Sequence, residues 1–156
     1  MLILIDSRET TPLEFNSEDY KVTTQRVGLP EADYSCLLDN GTHIPVVFER
    51  KSIGDLFGTM GKGYSRFKRM LERAYEREHQ VILVIEGSQK KILSGYKHSS
   101  LNGLSIFRKL LTLRIRYGLE HHFFNSREDM AFYIMEYFSR YILNQKHLSK
   151  QKKTES

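Results

Sequence analysis

The sequence predicts a single α/β domain built on a mixed sheet. Short strand-like runs come first along the chain, and helices then alternate with strands, an order typical of such domains. A continuous apolar run at residues 80–86, QVILVIE, ends at Gly87 and predicts a central buried strand. The chain has 156 residues, of which 40% are hydrophobic, so its length and composition suit one domain with its own core.

The first half of the chain predicts strands. Apolar runs and alternating patterns place them at residues 2–5, 20–27, 33–38 and 43–49. The last two flank Asp39-Asn40-Gly41-Thr42, a turn signal that predicts a β-hairpin. Pro45 falls inside the second strand of this hairpin, and because proline has no N–H to donate, we expect it at an edge or a bulge.

The second half predicts helices that alternate with strands. We expect helices at residues 52–58, 65–78 and 101–117 and from Ser126 onward, with strands at 80–86 and 119–124. The polar segment 87–100 predicts a loop. The helix at 101–117 is predicted from an apolar repeat at Leu104, Phe107, Leu111 and Ile115. Residues 145–156 hold four lysines and one glutamate, which predicts a basic, disordered tail.

The composition excludes several classes of protein. One cysteine, Cys36, rules out a disulfide framework and a cysteine-based zinc site. No run approaches the roughly 20 apolar residues of a membrane span, and a signal peptide is not evident. We therefore expect an intracellular protein, cytoplasmic or associated with nucleoid or nucleus according to the host. Gly61-Lys62-Gly63 lacks the pattern of a phosphate-binding loop, which argues against a nucleotide cofactor, and the net charge of +5 permits a polyanionic partner.

The predicted hairpin places acidic residues together. If Gly41 lies at its tip, Asp33 is opposite Glu49, with Cβ atoms about 5 Å apart. Lys51 shares a sheet face with Glu49, while Arg50 points to the other face. Further acidic candidates near this pair are Asp6, Glu9 and Asp55.

Facing carboxylates with a neighbouring lysine suit the hydrolysis of a phosphodiester. Two carboxylates repel each other unless a cation or a proton lies between them. Their oxygens are the ligands that Mg²⁺ prefers, and such an ion activates water and binds substrate phosphate. A lysine beside it can orient the water or offset developing charge. The alternative from the spacing alone is a surface hairpin with an ordinary ion pair between Glu49 and Lys51.

Several segments resemble the XPF/Mus-type structure-specific endonucleases, a branch of the PD-(D/E)xK superfamily. Residues 49–55, ERKSIGD, are similar to the family's Glu-Arg-Lys-x-x-x-Asp signature, and residues 6–9, DSRE, resemble its early Asp-x-Arg-Glu element. Arg66-Phe67 and the run at 81–87 resemble the helix and central strand that follow. The resemblance spans about residues 2–138 and implies a restriction-endonuclease-like nuclease fold, with a central mixed sheet flanked by helices. We place this nuclease domain at residues 1–144, before the basic tail.

The resemblance also implies roles for individual residues. Asp33 and Glu49 would be metal ligands, Asp6 a further catalytic and metal-binding acid, and Lys51 the catalytic lysine. The matching supporting positions are Arg8, Glu9, Arg50 and Asp55. The implied cofactor is Mg²⁺ or Mn²⁺, and the implied activity is endonucleolytic cleavage of branched DNA (flaps, forks or four-way junctions) in repair or recombination.

Two departures from the family pattern bear on these expectations. Ala32 stands where the family has glycine before the aspartate, a change that can alter the local backbone. The chain length also leaves no room for the tandem helix-hairpin-helix domain that usually follows the nuclease domain. The preference for branched DNA therefore comes from the resemblance alone.

Arginines at spacings of three or four residues predict a basic ridge along the helix at 65–78. They are Arg66, Arg69, Arg73 and Arg77. One interpretation is that the ridge follows DNA phosphates. The other is a solvated face balanced by the glutamates of the same helix. Lys62 and Arg66, close after the acidic residues, are the stronger candidates for contacts to DNA near the cut, followed by Arg69 and Arg73.

The last helix carries more aromatic residues than one buried stripe needs. They are Phe132, Tyr133, Tyr137, Phe138 and Tyr141. They form either core or an oligomer interface, and the resemblance favours a homodimer because nuclease domains of that family commonly dimerise. The alternative to an enzyme is a non-catalytic DNA-binding or scaffold protein that retains the nuclease fold.

Overall fold

Residues 1–155 are described by the computed structural model, and they contain six strands and five helices. The strands are β1 (Leu2–Asp6), β2 (Thr23–Val27), β3 (Tyr34–Leu37), β4 (Val46–Ser52), β5 (Gln80–Glu86) and β6 (Glu120–Phe124). The helices are α1 (Ile53–Met60), α2 (Tyr64–Glu76), α3 (Gln89–Leu93), α4 (Gly103–Tyr117) and α5 (Arg127–Thr154).

The strands form one mixed sheet in the order β2-β1-β3-β4-β5-β6. β1 is parallel to β2 and antiparallel to β3, and β3 is antiparallel to β4. β4, β5 and β6 are parallel to one another. The mixed sheet that the sequence predicts is thereby confirmed. Helices cover both faces of β5, which explains its unbroken apolar run.

The sheet divides the core into two clusters of buried residues, and helices cover each of its faces. α5 packs on the face that presents Phe48, and α1, α2 and α4 pack on the face that presents Val47. Side chains alternate between faces along a strand. Glu49 and Lys51 therefore point to the side of α1 and α2, whereas Arg50 points to the side of α5, as the sequence predicts.

β3 and β4 form the predicted hairpin in the predicted register. Tyr34 pairs with Phe48, and this pairing places Asp33 beside Glu49. The backbone N–H of Asp33 also donates to the carbonyl oxygen of Phe48 at 2.9 Å. Pairing across the turn thus brings together two carboxylates that are well separated along the chain.

A bulge in this hairpin contains Pro45, as expected. Nearer the turn, Leu37 pairs with His43, so the second strand carries two more residues than the first between the two pairings. Proline is tolerated there because the ladder needs no N–H from it. Its carbonyl oxygen accepts a hydrogen bond from the N–H of Gln80 at 2.9 Å, which ties the bulge to the start of β5.

α4 buries a different face from the apolar repeat that predicts it. Leu104 and Leu111 are exposed, and Ile115 is 84% exposed. The residues that pack into the core are Ile106, Leu110 and Leu113. The helix carries two apolar faces, so spacing alone cannot decide which one meets the sheet.

The aromatic side chains of α5 pack mainly into the core. Phe138 is buried, and Tyr133, Tyr137 and Tyr141 pack partly buried against the same cluster. Only Phe132 among the five aromatic residues of this helix is largely exposed, at 63%. The aromatic load is therefore explained by packing on the sheet.

Two predictions about irregular segments are wrong. The segment 87–100 contains α3, whose N-cap Ser88 accepts a hydrogen bond from the N–H of Lys91. Residues 145–154, predicted to be a disordered tail, continue α5 as exposed helix, while Ser156 lies outside the described residues. None of the helices in residues 1–155, including the long α5, has the length and apolarity needed to cross a membrane.

Candidate active site

A cleft of about 570 Å³ opens where β1, β3 and β4 meet α1 and α2. Of the predicted site residues, those that line it are Asp6, Arg8, Asp33, Glu49, Lys51, Asp55, Arg66 and Arg73. Residues from the start, the hairpin and the first long helix of the chain therefore share one small volume. The predicted acids and lysine lie together in it with part of the basic ridge.

Asp33 is held by backbone hydrogen bonds from both neighbouring strands. Its carbonyl oxygen accepts from the N–H of Asp6 at 2.8 Å, and its N–H donates to Phe48. Its carboxylate Oδ2 accepts from the N–H of Arg50 at 2.8 Å. The side chain is thus fixed at the mouth of the cleft by the backbone of β4.

The residue before Asp33 has a strained backbone. Ala32 has a φ of 61°, in the left-handed region that glycine adopts most easily. For an alanine this conformation costs about 1 to 2 kcal/mol. Alanine in place of the family's glycine therefore strains the turn, while Asp33 still lines the cleft.

Glu49 and Lys51 form an ion pair inside the cleft. Lys51 Nζ lies 3.1 Å from Glu49 Oε1, and both side chains are mostly buried. Burial raises the pKa of Glu49, and the charge of Lys51 partly opposes that rise. Burial and the negative charge of Glu49 raise the pKa of Asp33 from its ordinary 3.8 to about 7. Two largely buried carboxylates therefore lie beside one ammonium, and each raises the energy of ionising the other.

Asp6 is engaged through both carboxylate oxygens. Oδ1 accepts from the N–H of Leu29 at 3.0 Å, and Oδ2 accepts from Arg8 Nε at 2.8 Å. This bond and the charge of Asp6 raise the pKa of Arg8. The negative charge of Asp6 also contributes to the raised pKa of Glu49. Asp6 is thus a buried acid fixed beside the carboxylate pair.

Glu9 and Arg50, two of the predicted supporting residues, form an ion pair on the face of the sheet that α5 covers, opposite the cleft. Arg50 Nη2 lies 3.3 Å from Glu9 Oε1. The hydroxyl of Tyr34 accepts from the N–H of Leu13 at 2.9 Å and lies 3.5 Å from Glu9 Oε2, to which it donates. Burial raises the pKa of Tyr34 to about 12, which keeps it a neutral donor. These contacts tie the segment after β1 to β4 beneath the site.

The basic ridge divides into residues inside and outside the cleft. Arg66 and Arg73 line it. Lys62 and Arg69 are exposed and are not among its lining residues. Arg77 forms an ion pair with Glu31 instead. The four arginines therefore lie in different surroundings, and contact between the ridge and DNA stays a prediction.

Sequence reasoning misses Glu31, which is only 2% exposed. Glu31 is not among the residues that line the cleft, but several lining residues were also missed, among them Pro30, Thr59 and Met70. The one sequence signal for Glu31 is its place directly before Ala32 and Asp33. A glutamate in a polar turn is normally exposed, so nothing in the local pattern predicts its burial.

Asp33 and Glu49 are the residues best placed to hold a divalent cation. Within residues 1–155, no three His, Cys, Asp or Glu side chains form a group that could hold a metal ion by themselves. Mg²⁺, however, is commonly bound by one or two carboxylates, with waters and substrate phosphates completing its shell. Burial, and after it the negative charge of Glu49, raise the pKa of Asp33, and a cation between the two carboxylates would offset that charge. The donor set therefore fits Mg²⁺ or Mn²⁺.

Comparison with known proteins gives one family and one fold. The family model of the ERCC4 domain matches residues 5–137. The solved structure of XPF from Aeropyrum pernix matches with a TM-score of 0.64 and 20% identity, over 86% of this chain and 58% of that chain. XPF from Aeropyrum pernix in complex with DNA matches with a TM-score of 0.64 and 21% identity, over 86% and 62%.

The likeness to these structures confirms the predicted restriction-endonuclease-like α/β fold. The chain spans about three fifths of the length of the two XPF structures it matches. A comparison with curated proteins gives no match.

Proposed function

Because the chain belongs to the ERCC4-domain family, we propose that it is a metal-dependent endonuclease that hydrolyses phosphodiester bonds of DNA. The observation that carries the proposal is the cleft in which Asp33, Glu49 and Lys51 meet. Two carboxylates can hold the metal ion of such a reaction, and a lysine beside them can offset the charge that develops on the phosphate. Their burial and raised pKa values are typical of sites that hold a cation.

Asp33 and Glu49 would hold Mg²⁺ or Mn²⁺, with Asp6 assisting from β1. When bound, the ion would supply Lewis-acid polarisation of the phosphate and a lowered pKa for water. Lys51 keeps one oxygen of Glu49 in place at 3.1 Å and presents its ammonium to charge that develops on the phosphate. Arg8 Nε donates to Asp6 Oδ2 at 2.8 Å and so orients that carboxylate at the edge of the same volume.

The substrate we propose is DNA, and branched DNA of the kind met in repair and recombination. Arg66 and Arg73 give the cleft positive charge beside the acids, where the phosphates flanking the scissile bond would lie. One of the similar structures is that of XPF from Aeropyrum pernix in complex with DNA. The preference for flaps, forks or four-way junctions rests on the family resemblance.

A cleavage panel tests this function. Labelled flap, fork, four-way junction and linear duplex DNAs are incubated with the protein and Mg²⁺ or Mn²⁺. Asp33→Ala and Glu49→Ala are expected to abolish cleavage, while Asp39→Ala, in the exposed hairpin turn, retains it. Undiminished cleavage by both cleft variants would contradict the proposal. Salt-dependent DNA binding without metal binding or cleavage would favour the non-catalytic scaffold.

The proposed enzyme is a homodimer whose interface would lie on the exposed apolar face of α4. Leu104, Leu111 and Ile115 are 42%, 40% and 84% exposed on one side of this helix. Contiguous exposed apolar side chains of this kind mark interaction sites. A second copy of the chain would cover them and would also bring a second cleft to the same DNA.

Sedimentation velocity tests the dimer. Ile115→Asp is expected to shift the protein to monomer at micromolar concentration because an unpaired charge in an apolar interface is costly. Leu143→Asp, at an exposed leucine of α5 on the other side of the sheet, is the matched control and should leave the dimer unchanged. A wild-type protein that sediments as a strict monomer would contradict the assignment.

A further inference from the structure

We propose that the ion pair between Glu31 and Arg77 is a positioning device for the active site. It fastens the turn that carries Asp33 to the C-terminal end of α2. The inference rests on the proposed nuclease function, in which Asp33 is a metal-binding residue.

Glu31 is a buried carboxylate with basic partners from one short segment. Arg77 Nη1 lies 2.9 Å from Glu31 Oε1, and His79 Nδ1 lies 3.8 Å from Oε2. The Glu31 side chain is 2% exposed, whereas that of Arg77 is 52% exposed. A buried carboxylate is costly unless it is paired, so the glutamate holds the arginine in one place.

The ion pair joins the two walls of the cleft. Pro30 and Ala32, on either side of Glu31, both line it. On the opposite wall, Arg73 lines the cleft one helical turn before Arg77. The separation between the turn and α2 is therefore set where Glu31 meets Arg77.

Backbone hydrogen bonds hold the C-terminal end of α2 in place. The N–H of Arg77 donates to the carbonyl oxygens of Arg73 at 3.2 Å and Ala74 at 3.1 Å. The N–H of His79 donates to the carbonyl oxygen of Ala74 at 2.8 Å, and β5, which lies between β4 and β6, begins at the next residue. Arg77 is thus fixed between the end of α2 and the start of a buried strand.

The turn needs such an anchor because its backbone is strained at Ala32. Relaxation of the φ of 61° would rotate the peptide that precedes Asp33. The carboxylate of Asp33 would then move away from the N–H of Arg50 and from its place beside Glu49. Displacements of about 1 Å in a catalytic group can cost as much as a hundredfold in rate.

The test combines amide hydrogen exchange with kinetics. The variants are Glu31→Gln and Arg77→Ala, with Arg77→Lys as the conservative rescue and Arg116→Ala, an exposed arginine of α4, as the matched control. Exchange of the Arg50 amide, which donates to Asp33 Oδ2, is measured by NMR in the metal-free protein without DNA. The amide of Val84 in β5 serves as the internal reference. kcat and KM are measured for Mn²⁺-dependent cleavage.

Glu31→Gln and Arg77→Ala are expected to accelerate exchange of Arg50 relative to Val84 about tenfold. They should also lower kcat about tenfold with KM within about twofold, because the substrate still binds while the metal-holding carboxylate is misplaced. Arg77→Lys is expected to recover most of both effects, and Arg116→Ala to show neither. If Arg77→Ala fails to fold, Glu31→Gln, which is neutral and of nearly the same shape, decides the question.

An unchanged exchange ratio in the folded variants overturns the positioning role, and so does a changed ratio without any fall in kcat. A wild-type protein that cuts no DNA overturns the proposed nuclease function instead. The exchange measurement then still decides whether the ion pair positions Asp33, because it needs neither metal nor DNA.

Discussion

The backbone N–H of Arg50 donates to the Asp33 carboxylate at 2.8 Å, while the Arg50 side chain reaches Glu9 on the opposite face of the sheet. Arg50 therefore orients the Asp33 carboxylate through its backbone N–H, and its guanidinium forms an ion pair with Glu9 on the other face of the sheet. Because Glu49 and Lys51 flank Arg50, the same strand supplies a carboxylate, an ammonium and the orientation of the second carboxylate. The arrangement of the two carboxylates and the lysine therefore depends on this strand.

Asp33→Asn is expected to stabilise the metal-free protein at neutral pH. The pKa of Asp33 is about 7 in the folded protein against an ordinary 3.8, so between these values the unfolded chain releases the proton that the folded protein keeps. The wild type therefore loses stability relative to the variant as pH rises from about 4 to about 7, by about 1 to 3 kcal/mol in total. Thermal unfolding in EDTA across this range measures it.

Asp39→Asn, in the exposed turn, controls for the loss of one surface charge. A stability difference between wild type and Asp33→Asn that stays constant with pH would contradict the burial of an ionisable Asp33.

Lys51→Ala is expected to lower kcat by about 10²- to 10³-fold, the usual effect of removing one group that stabilises transition-state charge. DNA affinity should change little, because Lys51 is only 18% exposed and its ammonium is directed at Glu49. Single-turnover cleavage and a separate binding titration distinguish the two effects. Lys21→Ala, outside the cleft, is the control. A loss confined to DNA affinity would assign Lys51 to binding instead.

Arg66→Ala and Arg73→Ala are each expected to weaken DNA binding and to reduce the dependence of log K on log salt by about one unit. Arg69→Ala should have less than half this effect because Arg69 is not among the residues that line the cleft. Fluorescence anisotropy over a range of salt concentrations measures all three. Equal effects from the three arginines would indicate that DNA follows the outer surface of α2.

Glu78→Gly is expected to stabilise the protein by about 1 kcal/mol. Glu78 has a φ of 60° directly after α2, where glycine is the residue that most easily ends a helix. Glu76→Gly, at the last residue of the same helix, is the matched control and should destabilise by about 0.5 to 1 kcal/mol. Chemical denaturation measures both, and effects of the same sign would contradict the left-handed conformation of Glu78.

Several features were within reach of the sequence because they depend on neighbours along the chain. The turn at residues 39–42 marks the hairpin, and the bulge at Pro45 completes the register in which Tyr34 pairs with Phe48 and Asp33 lies beside Glu49. The alternation of side chains along β4 separates Lys51 from Arg50. The N-cap Ser126, whose hydroxyl accepts from the N–H of Asp129 at 3.1 Å, marks the start of α5.

Other features depend on which surfaces meet and were out of reach. α4 has two apolar faces, and only packing against the sheet decides that Ile106 is buried while Ile115 is exposed. The helical conformation of residues 145–154 extends a helix that is nucleated far upstream, so the local composition alone does not predict it.

By itself the sequence determined that two acids and a lysine meet across one hairpin, because strand periodicity and turn signals act over a few residues. The tertiary structure alone decided how that chemistry is enclosed. It placed α2 across the cleft, brought Arg66 and Arg73 but not Arg69 into its wall, and buried Glu31 against Arg77. Such contacts join residues far apart along the chain, and their geometry is set by the packing of whole helices on the sheet rather than by any local pattern.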